Sequence, residues 1–168
     1  MNPDLYWIPG PWRGRLAVLM RPRGGDWLQD EACGWKTAGL DLIVSLLEGE
    51  EAAELELGSE GAALEAKGIR FVSFPIPDRG VPVSLTDALA LLREISKALN
   101  EGKNVAVHCR QGIGRSGMIA AGVLVASGIH PQKAIETVSL ARGQTVPETP
   151  AQSRWIQHLP AAHPVGVR

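Results

Sequence analysis

The residues of this chain best suited to chemistry lie in one segment, His108-Cys109-Arg110-Gln111-Gly112-Ile113-Gly114-Arg115-Ser116. As a thiolate, Cys109 is a nucleophile, and the planar guanidinium of Arg115 can hold two phosphate oxygens at once. Glycines allow a tight turn, and backbone amides that lead into a helix bind anions and favour a thiolate. The combination predicts a site that hydrolyses phosphate esters. Its predicted phosphate cradle consists of Arg110, Gln111, Gly112, Ile113, Gly114 and Arg115.

Other glycine-bearing loops also bind phosphate groups. The spacing Gly112-x-Gly114-x-x-Gly117 fits the dinucleotide-binding fingerprint. However, no second strand ending in an acidic residue follows about 20 residues later, and Glu136, near that distance, lies in a helical pattern. A Walker-type loop requires Lys after its final glycine, and this chain has Met118 there. The cysteine-based site is therefore the interpretation that uses every residue of the segment.

The elements on either side must position this loop. Apolar runs along the chain alternate between strand-like and helix-like patterns. Strands are predicted at 16–20, 42–47, 69–76 and 104–108, and helices at 26–38, 48–57, 59–67, 84–100, 116–127, 131–142 and 151–159. This alternation favours an α/β fold with a central, mostly parallel sheet of four to five strands and helices on both faces. Ligands of such sheets bind at the carboxyl ends of strands, where Cys109 lies.

Length and composition agree with a single globular domain. The chain has 168 residues, of which 45% are hydrophobic and 21% charged, as in ordinary soluble domains. Its 17 basic and 18 acidic residues give a net charge of −1, which argues against nucleic acid or a membrane surface as a partner. Two cysteines make no disulfide framework, and with no recognisable signal peptide the expected compartment is the cytoplasm. We expect one monomeric domain over 1–168, with a core at 16–159 and a mobile tail at 160–168.

The segment HCRQGIGRS resembles the His-Cys-x5-Arg-Ser signature of the cysteine-dependent protein tyrosine phosphatases. His108, Cys109, the middle Gly112, Arg115 and Ser116 are all in place. The small size and the loop PIPDRGVP resemble the compact dual-specificity branch of that superfamily. The resemblance implies the cysteine phosphatase fold, a phosphate monoester as substrate, a phosphocysteine intermediate, and no metal or other cofactor. It also implies that His108 helps to fix the loop and tune the thiol.

Hydrolysis also requires a group that protonates the leaving oxygen and later activates water, and one carboxylic acid can do both in turn. Asp78, in the proline-rich loop 75–82, is the candidate, and the resemblance places the family's acid in such a loop. Gly80 offers a hinge about which the loop could close over bound phosphate. The alternative is that Asp78 merely initiates a turn. Asp87, the rival acid, is explained by its place at the start of a helix.

Two further residues are assigned supporting roles. The hydroxyl of Ser116, next to Arg115, can stabilise the Cys109 thiolate when the phosphocysteine breaks down, although a simple helix cap is the alternative. Thr149 and Gln152 match a Thr-x-x-Gln pattern of related phosphatases. The resemblance implies that Gln152 helps to place the attacking water, and a solvated helix position is the alternative.

The sequence favours a shallow site that acts on proteins. The segment contains no lysine, which the phosphoinositide phosphatases of this superfamily usually carry, although Arg110 adds charge. The tyrosine-specific branch of the superfamily normally has a longer chain and a tyrosine-bearing loop that deepens the cleft, whereas the one tyrosine here, Tyr6, lies near the N-terminus. We predict phosphotyrosine, and also phosphoserine and phosphothreonine, in phosphorylated proteins or peptides as substrates. The alternatives are a phosphoinositide, inositol phosphate or RNA 5′-phosphate substrate and, from other classes, a sulfur-transfer domain or an inactive phosphate-binding module.

Two features outside the segment receive structural interpretations. Residues 48–65 include seven glutamates and no Lys or Arg, which predicts a solvated helical face; an electrostatic docking surface is the alternative. Cys33 is predicted to be buried. Cys33, His130, His158 and His163 show no ligand spacing, so no zinc site is expected.

Overall fold

The computed structural model describes residues 4–160 and contains a five-stranded sheet in the order β1-β2-β5-β3-β4. The strands are β1 (Tyr6–Ile8), β2 (Leu16–Met20), β3 (Leu42–Ser45), β4 (Arg70–Ser73) and β5 (Val105–Cys109). β1 pairs with β2 in the antiparallel orientation, and the other pairs are parallel. The predicted α/β fold with a mostly parallel sheet is confirmed.

The central strand, β5, carries the candidate nucleophile as its last residue. β2 and β3 flank this strand, with Met20 opposite Cys109 and Ser45 opposite His108. Every residue of β3 and β5 is buried, which is why these strands are continuous apolar runs rather than alternating ones. The carboxyl ends of three neighbouring strands therefore meet beside Cys109.

Helices cover both faces of the sheet. Within residues 4–160 they are α1 (Leu28–Thr37), α2 (Gly49–Glu54), α3 (Glu60–Glu65), α4 (Leu85–Asn100), α5 (Arg115–Ala126), α6 (Pro131–Arg142) and α7 (Pro150–Gln157). Helices α4 to α7 pack in one core with Val44 and Val107, whereas α1 and α3 pack in a second core with Ile43 and Ala106. Neighbouring strand residues point to opposite faces, so each buried strand supplies both cores. No helix in this part of the chain is long and apolar enough to cross a membrane.

Side-chain caps fix the starts of the two helices nearest the predicted acid loop. Ser84 Oγ accepts a hydrogen bond from the N–H of Asp87 at the start of α4, 3.1 Å away. At the start of α7, Thr149 Oγ1 accepts from the N–H of Gln152, and Gln152 Oε1 accepts from the N–H of Thr149. This reciprocal capping box is followed by Pro150 at the first helical position, where a missing N–H does no harm. It places the Gln152 side chain at the N-terminal end of α7.

The structure differs from the sequence-based prediction mainly near the N-terminus. The antiparallel strand β1 was not predicted, because three residues before Pro9 carry too little pattern and their strand geometry depends on pairing with β2. The predicted helix 26–38 begins as a 3-10 turn, Gly25–Trp27, before α1. The tail expected to be mobile, 160–168, lies outside the described residues apart from Pro160.

Candidate active site

Cys109 ends β5 and lines a pocket of about 180 Å³. The residue is only 3% exposed, so this pocket is the route by which a substrate can reach its sulfur. The pocket is lined by Asp78, Arg79, Cys109, Arg110, Gln111, Gly114, Arg115 and Glu148. The predicted nucleophile, acid and arginine, which are separate in the sequence, therefore share one pocket.

The loop after Cys109 presents backbone amides that have no backbone partner. Within residues 4–160, no backbone carbonyl accepts from the N–H groups of residues 110–114. Successive amides without a backbone acceptor just before a helix form an anion site. Gly112 has a φ of 72°, and a Cβ there would lie 2.7 Å from the carbonyl oxygen of Leu19, so this turn requires glycine. The arrangement of the loop suits a phosphate group.

Arg142, at the end of α6, holds the outer side of the same loop. Its Nε donates to the carbonyl oxygen of Gly112 at 2.8 Å, and its Nη2 donates to that of Gln111 at 3.1 Å. The guanidinium also stacks over the ring of Tyr6 in β1, 4.0 Å from its centroid. Because the C=O and N–H of a trans peptide point in opposite directions, these bonds turn the N–H groups of Gly112 and Ile113 to the other side of the loop. The role of Arg142 could not be predicted from the sequence, because a single arginine at a helix end carries no signal.

Arg115 is the first residue of α5, and its side chain is almost completely buried. Nη1 and Nη2 donate to the two carboxylate oxygens of Glu51 at 2.6 and 3.0 Å, and Nη1 also donates to the carbonyl oxygen of Ile76 at 3.0 Å. Asp78 Oδ1 lies 3.2 Å from Nη2. A two-point pairing of this kind fixes the plane of the guanidinium. The predicted phosphate clamp is therefore held in place beside Cys109.

The pairing of Arg115 with Glu51 also keeps both side chains ionised. The hydrogen bond from Arg115 is the largest influence on Glu51 and lowers its pKa to about 2, against the opposing effect of burial. Burial by itself lowers the pKa of Arg115, but the hydrogen bond to Glu51 and the negative charges of Cys109, Glu51 and Asp78 outweigh it and raise that pKa. At neutral pH the pocket therefore contains a permanent cation with a permanent counter-ion behind it.

Two members of the acidic run contradict the predicted solvated face. Glu51 has a side chain that is only 12% exposed, and Glu60 is 2% exposed. The physical reason is that each lies against a buried partner. Glu51 pairs with the Arg115 guanidinium, which needs a counter-charge once water is excluded, and Glu60 lies within hydrogen-bond distance of His108 Nε2. The prediction is correct for the exposed glutamates, which are Glu48, Glu50, Glu54, Glu56 and Glu65. Because residues 48–65 contain no Lys or Arg, basic partners for the buried glutamates had to come from other parts of the chain.

His108 lies beneath Cys109 and is fully buried. Its Nε2 lies 2.6 Å from Glu60 Oε2, and its Nδ1 lies 3.4 Å from the carbonyl oxygen of Cys109. A buried carboxylate requires such a hydrogen-bond partner, and the contact fixes the orientation of the imidazole ring. From this position His108 can hold the start of the loop. Glu60, which no sequence pattern distinguishes from the other glutamates of the run, is the residue that holds His108.

Ser116 lies beside the candidate nucleophile. Its Oγ is 3.1 Å from Cys109 Sγ, and both side chains are buried. A serine hydroxyl can rotate to donate its hydrogen. The geometry therefore allows Ser116 to donate a hydrogen bond to the sulfur in its anionic form.

Asp78 lies in the loop between β4 and α4, with a side chain that is 58% exposed. The N–H of Gly80 donates to the carbonyl oxygen of Pro77 at 2.8 Å, which closes a tight turn around Asp78 and Arg79. Arg79 has a φ of 60°, in the left-handed region that residues other than glycine rarely adopt. The turn brings the carboxyl group of Asp78 to the pocket, where it can approach a leaving oxygen.

Gln152 is fully buried and, among the residues that the structure describes, is not part of the pocket lining. Its Oε1 accepts from the N–H groups of Glu148 and Thr149, at 3.1 and 3.3 Å. Its Nε2 donates to the carbonyl oxygen of Gly80 at 3.0 Å. A solvated helix position, the alternative considered from the sequence, is therefore wrong. The structure instead brings Gln152 against the loop of Asp78.

Cys33 is exposed, so the prediction that it is buried is wrong. It lies on α1 and lines a groove of about 760 Å³ together with Trp7 of β1. The prediction failed because the apolar character of cysteine does not show which side of a helix it occupies. The buried side of α1 is formed by Leu28, Ala32 and Trp35. Among residues 4–160, no three His, Cys, Asp or Glu side chains lie together as candidate metal ligands.

Fold and pocket together have the features of the cysteine-dependent phosphatases. A family model described as "Polymorphic toxin system, DSP-PTPase phosphatase" matches residues 20–129. The chain therefore belongs to this family of DSP-PTPase phosphatases, and the resemblance carried by the segment HCRQGIGRS is confirmed.

Curated relatives of the chain include viral and vertebrate proteins. Protein 197R of Invertebrate iridescent virus 6, which carries the name of a tyrosine phosphatase, is 28% identical over 158 residues, 92% of this chain and 56% of the relative. Cyclin-dependent kinase inhibitor 3 of Rattus norvegicus is 31% identical over 87 residues, 51% of this chain and 41% of the relative. The chain thus spans about half the length of these two relatives.

Solved structures share the fold over nearly the whole chain. Tk-PTP in its active form is 30% identical with a TM-score of 0.73, and the match covers 94% of this chain and 98% of Tk-PTP. Kinase-associated phosphatase has a TM-score of 0.81 at 19% identity and 93% coverage of both chains. PTPMT1 in complex with PI(5)P has a TM-score of 0.71 at 18% identity, covering 90% of this chain and 92% of PTPMT1. At identities below 20%, the last two likenesses show the shared fold alone.

Proposed function

We propose that this chain is a single phosphatase domain that hydrolyses phosphotyrosine, and also phosphoserine and phosphothreonine, in phosphorylated proteins or peptides. The observation that carries the proposal is the content of one pocket of about 180 Å³. In it, Cys109 and Arg115 lie around backbone amides that have no backbone acceptor in the described part of the chain. A thiolate, a fixed guanidinium and free amides are what a phosphate monoester requires of a nucleophilic site.

The first step forms the phosphocysteine. The Cys109 thiolate attacks phosphorus while the amides of residues 110–115 and the Arg115 guanidinium hold the non-bridging oxygens. The bond between phosphorus and the leaving oxygen breaks. Protonated Asp78 transfers its proton to that oxygen, so the dephosphorylated side chain leaves as a neutral alcohol or phenol.

The second step hydrolyses the phosphocysteine. Water attacks phosphorus, and the Asp78 carboxylate takes the water's proton. The sulfur–phosphorus bond breaks, which releases inorganic phosphate and returns the electron pair to Cys109 as a thiolate. The separation of 3.1 Å between Ser116 Oγ and Cys109 Sγ supports a hydrogen bond to this developing charge. His108, held by Glu60, keeps the start of the loop in place during both steps.

The borders of the pocket support a shallow cleft. Asp78 and Arg79 come from the loop 75–82, and Glu148 comes from the loop 143–150. A pocket of this size accommodates a phosphate group and only part of the side chain that carries it. Phosphoserine and phosphothreonine are shorter than phosphotyrosine but can still reach its floor. Aryl substrates are expected to react faster, because a phenolate leaves more readily and depends less on the proton of Asp78.

Two arginines at the rim favour a second candidate, the hydrolysis of phosphoinositides or inositol phosphates. Arg79 and Arg110 line the pocket and have side chains that are 64% and 40% exposed, so they can contact additional phosphate groups. PTPMT1, solved with PI(5)P, has the same fold. The carboxylate of Glu148, 3.8 Å from Arg79, opposes a second phosphate at this rim. For that reason we prefer the protein substrate.

A substrate panel combined with Cys109→Ser tests the proposed function. The purified wild type should hydrolyse phosphotyrosine peptides and, more slowly, phosphothreonine peptides. Cys109→Ser should abolish turnover yet still bind a phosphotyrosine peptide in calorimetry, because the amides and Arg115 remain. Cys33→Ser, a change of the same kind at the exposed cysteine, should retain full turnover.

Three outcomes would contradict separate parts of the proposal. Turnover by purified Cys109→Ser would contradict the phosphocysteine mechanism. An enzyme inactive on every phosphopeptide but fast on inositol phosphates would replace the protein substrate with the second candidate. Strict specificity for phosphotyrosine would contradict only the shallow cleft.

A further inference from the structure

The buried side chain of Gln152 connects two segments that border the pocket. Its acceptor atom, Oε1, caps α7 by binding the N–H groups of Glu148 and Thr149. Its donor atom, Nε2, binds the carbonyl oxygen of Gly80 at 3.0 Å. Gly80 lies two residues after Asp78. One fully buried amide thus joins the start of α7 to the loop that presents the candidate acid.

Two longer contacts run between the same segments. Thr149 Oγ1 donates to the carbonyl oxygen of Arg79 at 3.5 Å, and Arg79 Nη1 lies 3.8 Å from Glu148 Oε2. Arg79 adopts a φ of 60°, and such a conformation persists only when the surrounding structure fixes it. The bond from Gln152 to Gly80 is the shortest of these contacts and comes from a side chain that water does not reach. It is therefore the main restraint that the start of α7 places on the turn around Asp78, in addition to the hydrogen bond between Gly80 and Pro77 within the turn.

We propose that Gln152 is a positioning residue for the acid: its amide N–H holds Gly80 and thereby keeps Asp78 at the pocket, 3.2 Å from Arg115. The proposal rests on the acid role of Asp78 in the proposed function. It differs from the placement of water that the family resemblance implies for Gln152. Positioning of Asp78 acts on the formation of the phosphocysteine as well as on its hydrolysis, whereas placement of water acts on hydrolysis alone.

The two roles affect different kinetic constants. The ratio kcat/KM contains the steps up to the departure of the leaving group, whereas kcat also contains hydrolysis of the phosphocysteine. Loss of a residue that positions Asp78 lowers kcat/KM, most strongly for leaving groups that need a proton. Loss of a residue that only places water lowers kcat, leaves kcat/KM unchanged and produces an initial burst of leaving group.

Gln152→Glu separates the donor function of this side chain from its capping function. The carboxylate still accepts from the N–H groups of Glu148 and Thr149, so the cap of α7 is kept, but no N–H remains for Gly80. Gln152→Asn is the second variant, because it keeps the amide and removes one methylene group of reach. Gln157→Glu is the matched control, since it makes the same change at an exposed position of the same helix.

The experiment measures kcat and kcat/KM for a series of aryl and alkyl phosphates whose leaving groups differ in basicity. For the most basic leaving groups, Gln152→Glu should lower kcat/KM by roughly 10-fold or more, and for the least basic the ratio should change little. Asp78→Asn by itself should lower the rate by roughly 10²–10⁴. Adding Gln152→Glu to Asp78→Asn should cause little further loss, because two changes that act through one group are not additive. Gln157→Glu should match the wild type.

Three results would overturn the positioning role. The first is an unchanged kcat/KM with a lowered kcat and a burst, which indicates placement of water alone. The second is an equal loss for every leaving group, or full additivity with Asp78→Asn, in either Gln152 variant that folds. The third is an Asp78→Asn variant whose loss of rate relative to the wild type is the same for every leaving group, which would contradict the acid role of Asp78 as well. A wild type that hydrolyses aryl phosphates but no phosphopeptide would contradict only the proposed protein substrate.

Discussion

Arg115 retains a positive charge in a place that water barely reaches because Glu51 lies against it. The guanidinium donates two hydrogen bonds to one carboxylate, which is the strongest geometry available to such a pair. The lowered pKa of Glu51, about 2 against an ordinary 4.5, measures how strongly the folded state prefers the ionised carboxylate. The proposed phosphate clamp, Arg115, therefore depends on a second residue that does not line the pocket.

This dependence predicts how stability changes with pH. Because the pKa of Glu51 is lowered on folding, the unfolded chain binds more protons than the folded chain as the pH falls through this range. The stabilisation is complete above about pH 4.5 and disappears as the pH falls towards 2; a shift of this size corresponds to something on the order of 3 kcal/mol. We expect Glu51→Gln to be less stable than the wild type at pH 7, and this difference to shrink between pH 5 and 2.

Urea unfolding at a series of pH values measures this difference. Glu50→Gln is the matched control, because Glu50 is the exposed neighbour in the same helix; its stability should follow the wild type at every pH. A difference between wild type and Glu51→Gln that stays constant down to pH 2 would show that the carboxylate of Glu51 is not stabilised by Arg115.

At the scale of elements, the smallest strand and the end of a helix together support the phosphate loop. β1 supplies Tyr6, and α6 supplies Arg142, which stacks on that ring and binds the carbonyl oxygens of Gln111 and Gly112. The loop thus has its amides on the pocket side and a cation on its outer side. β1 is an edge strand with no residue in the pocket. It contributes to the site because its Tyr6 contacts Arg142, which in turn binds the loop after Cys109.

Arg142→Lys tests this support. Lysine keeps the charge over Tyr6 but cannot reach both carbonyl groups with a planar fork. The loss of one charge-assisted hydrogen bond costs about 1.5–3 kcal/mol. Because phosphate must then order the loop as it binds, its binding should weaken, by roughly 10-fold if about 1.4 kcal/mol of that loss falls on binding. The inhibition constant of phosphate measures the effect. Arg154→Lys, at an exposed position of α7, should leave that constant unchanged. Equal constants for wild type and Arg142→Lys would contradict the supporting role.

Sequence patterns predicted most elements because their signals are local. Strand β2 and helix α6 begin and end where the apolar runs and Pro131 indicate, and Ser84 caps α4 as its residue type suggests. β1 could not be predicted, because its three residues become a strand only by pairing with β2.

At the scale of the whole molecule, the site also divides into a part that local sequence signals predict and a part that depends on the assembled fold. Residues 108–116 are contiguous, so their spacing alone indicated the chemistry. Glu51, Glu60 and Arg142 come from three separate helices, and only the assembled fold shows that they hold that segment in place. For Gln152 the sequence suggested a functional position but not its contact with Gly80.

The positions of the two cysteines predict the response to peroxide. Cys109 lines the phosphate pocket, whereas Cys33 lines a different groove beside β1. Peroxide should inactivate the enzyme by oxidising the reactive thiolate, and inorganic phosphate in the pocket should slow this loss. Recovery of activity with dithiothreitol should be the same in Cys33→Ala as in the wild type, because a disulfide requires the two cysteines to approach closely. A loss of recovery in Cys33→Ala would identify Cys33 as the resolving partner of Cys109.

Because Glu51 and Glu60 hold Arg115 and His108 in place, the proposed catalysis also depends on how far folding has proceeded. Glu51 is separated from Arg115 by 64 positions, and Glu60 from His108 by 48. Contacts between such distant residues require long stretches of chain to be closed into loops, which makes them slow to form. A chain that is still folding can therefore contain the complete segment from His108 to Ser116 while its arginine and histidine remain unfixed. Catalytic competence becomes a property of the finished fold, and a fragment that bears only the signature segment is expected to have none.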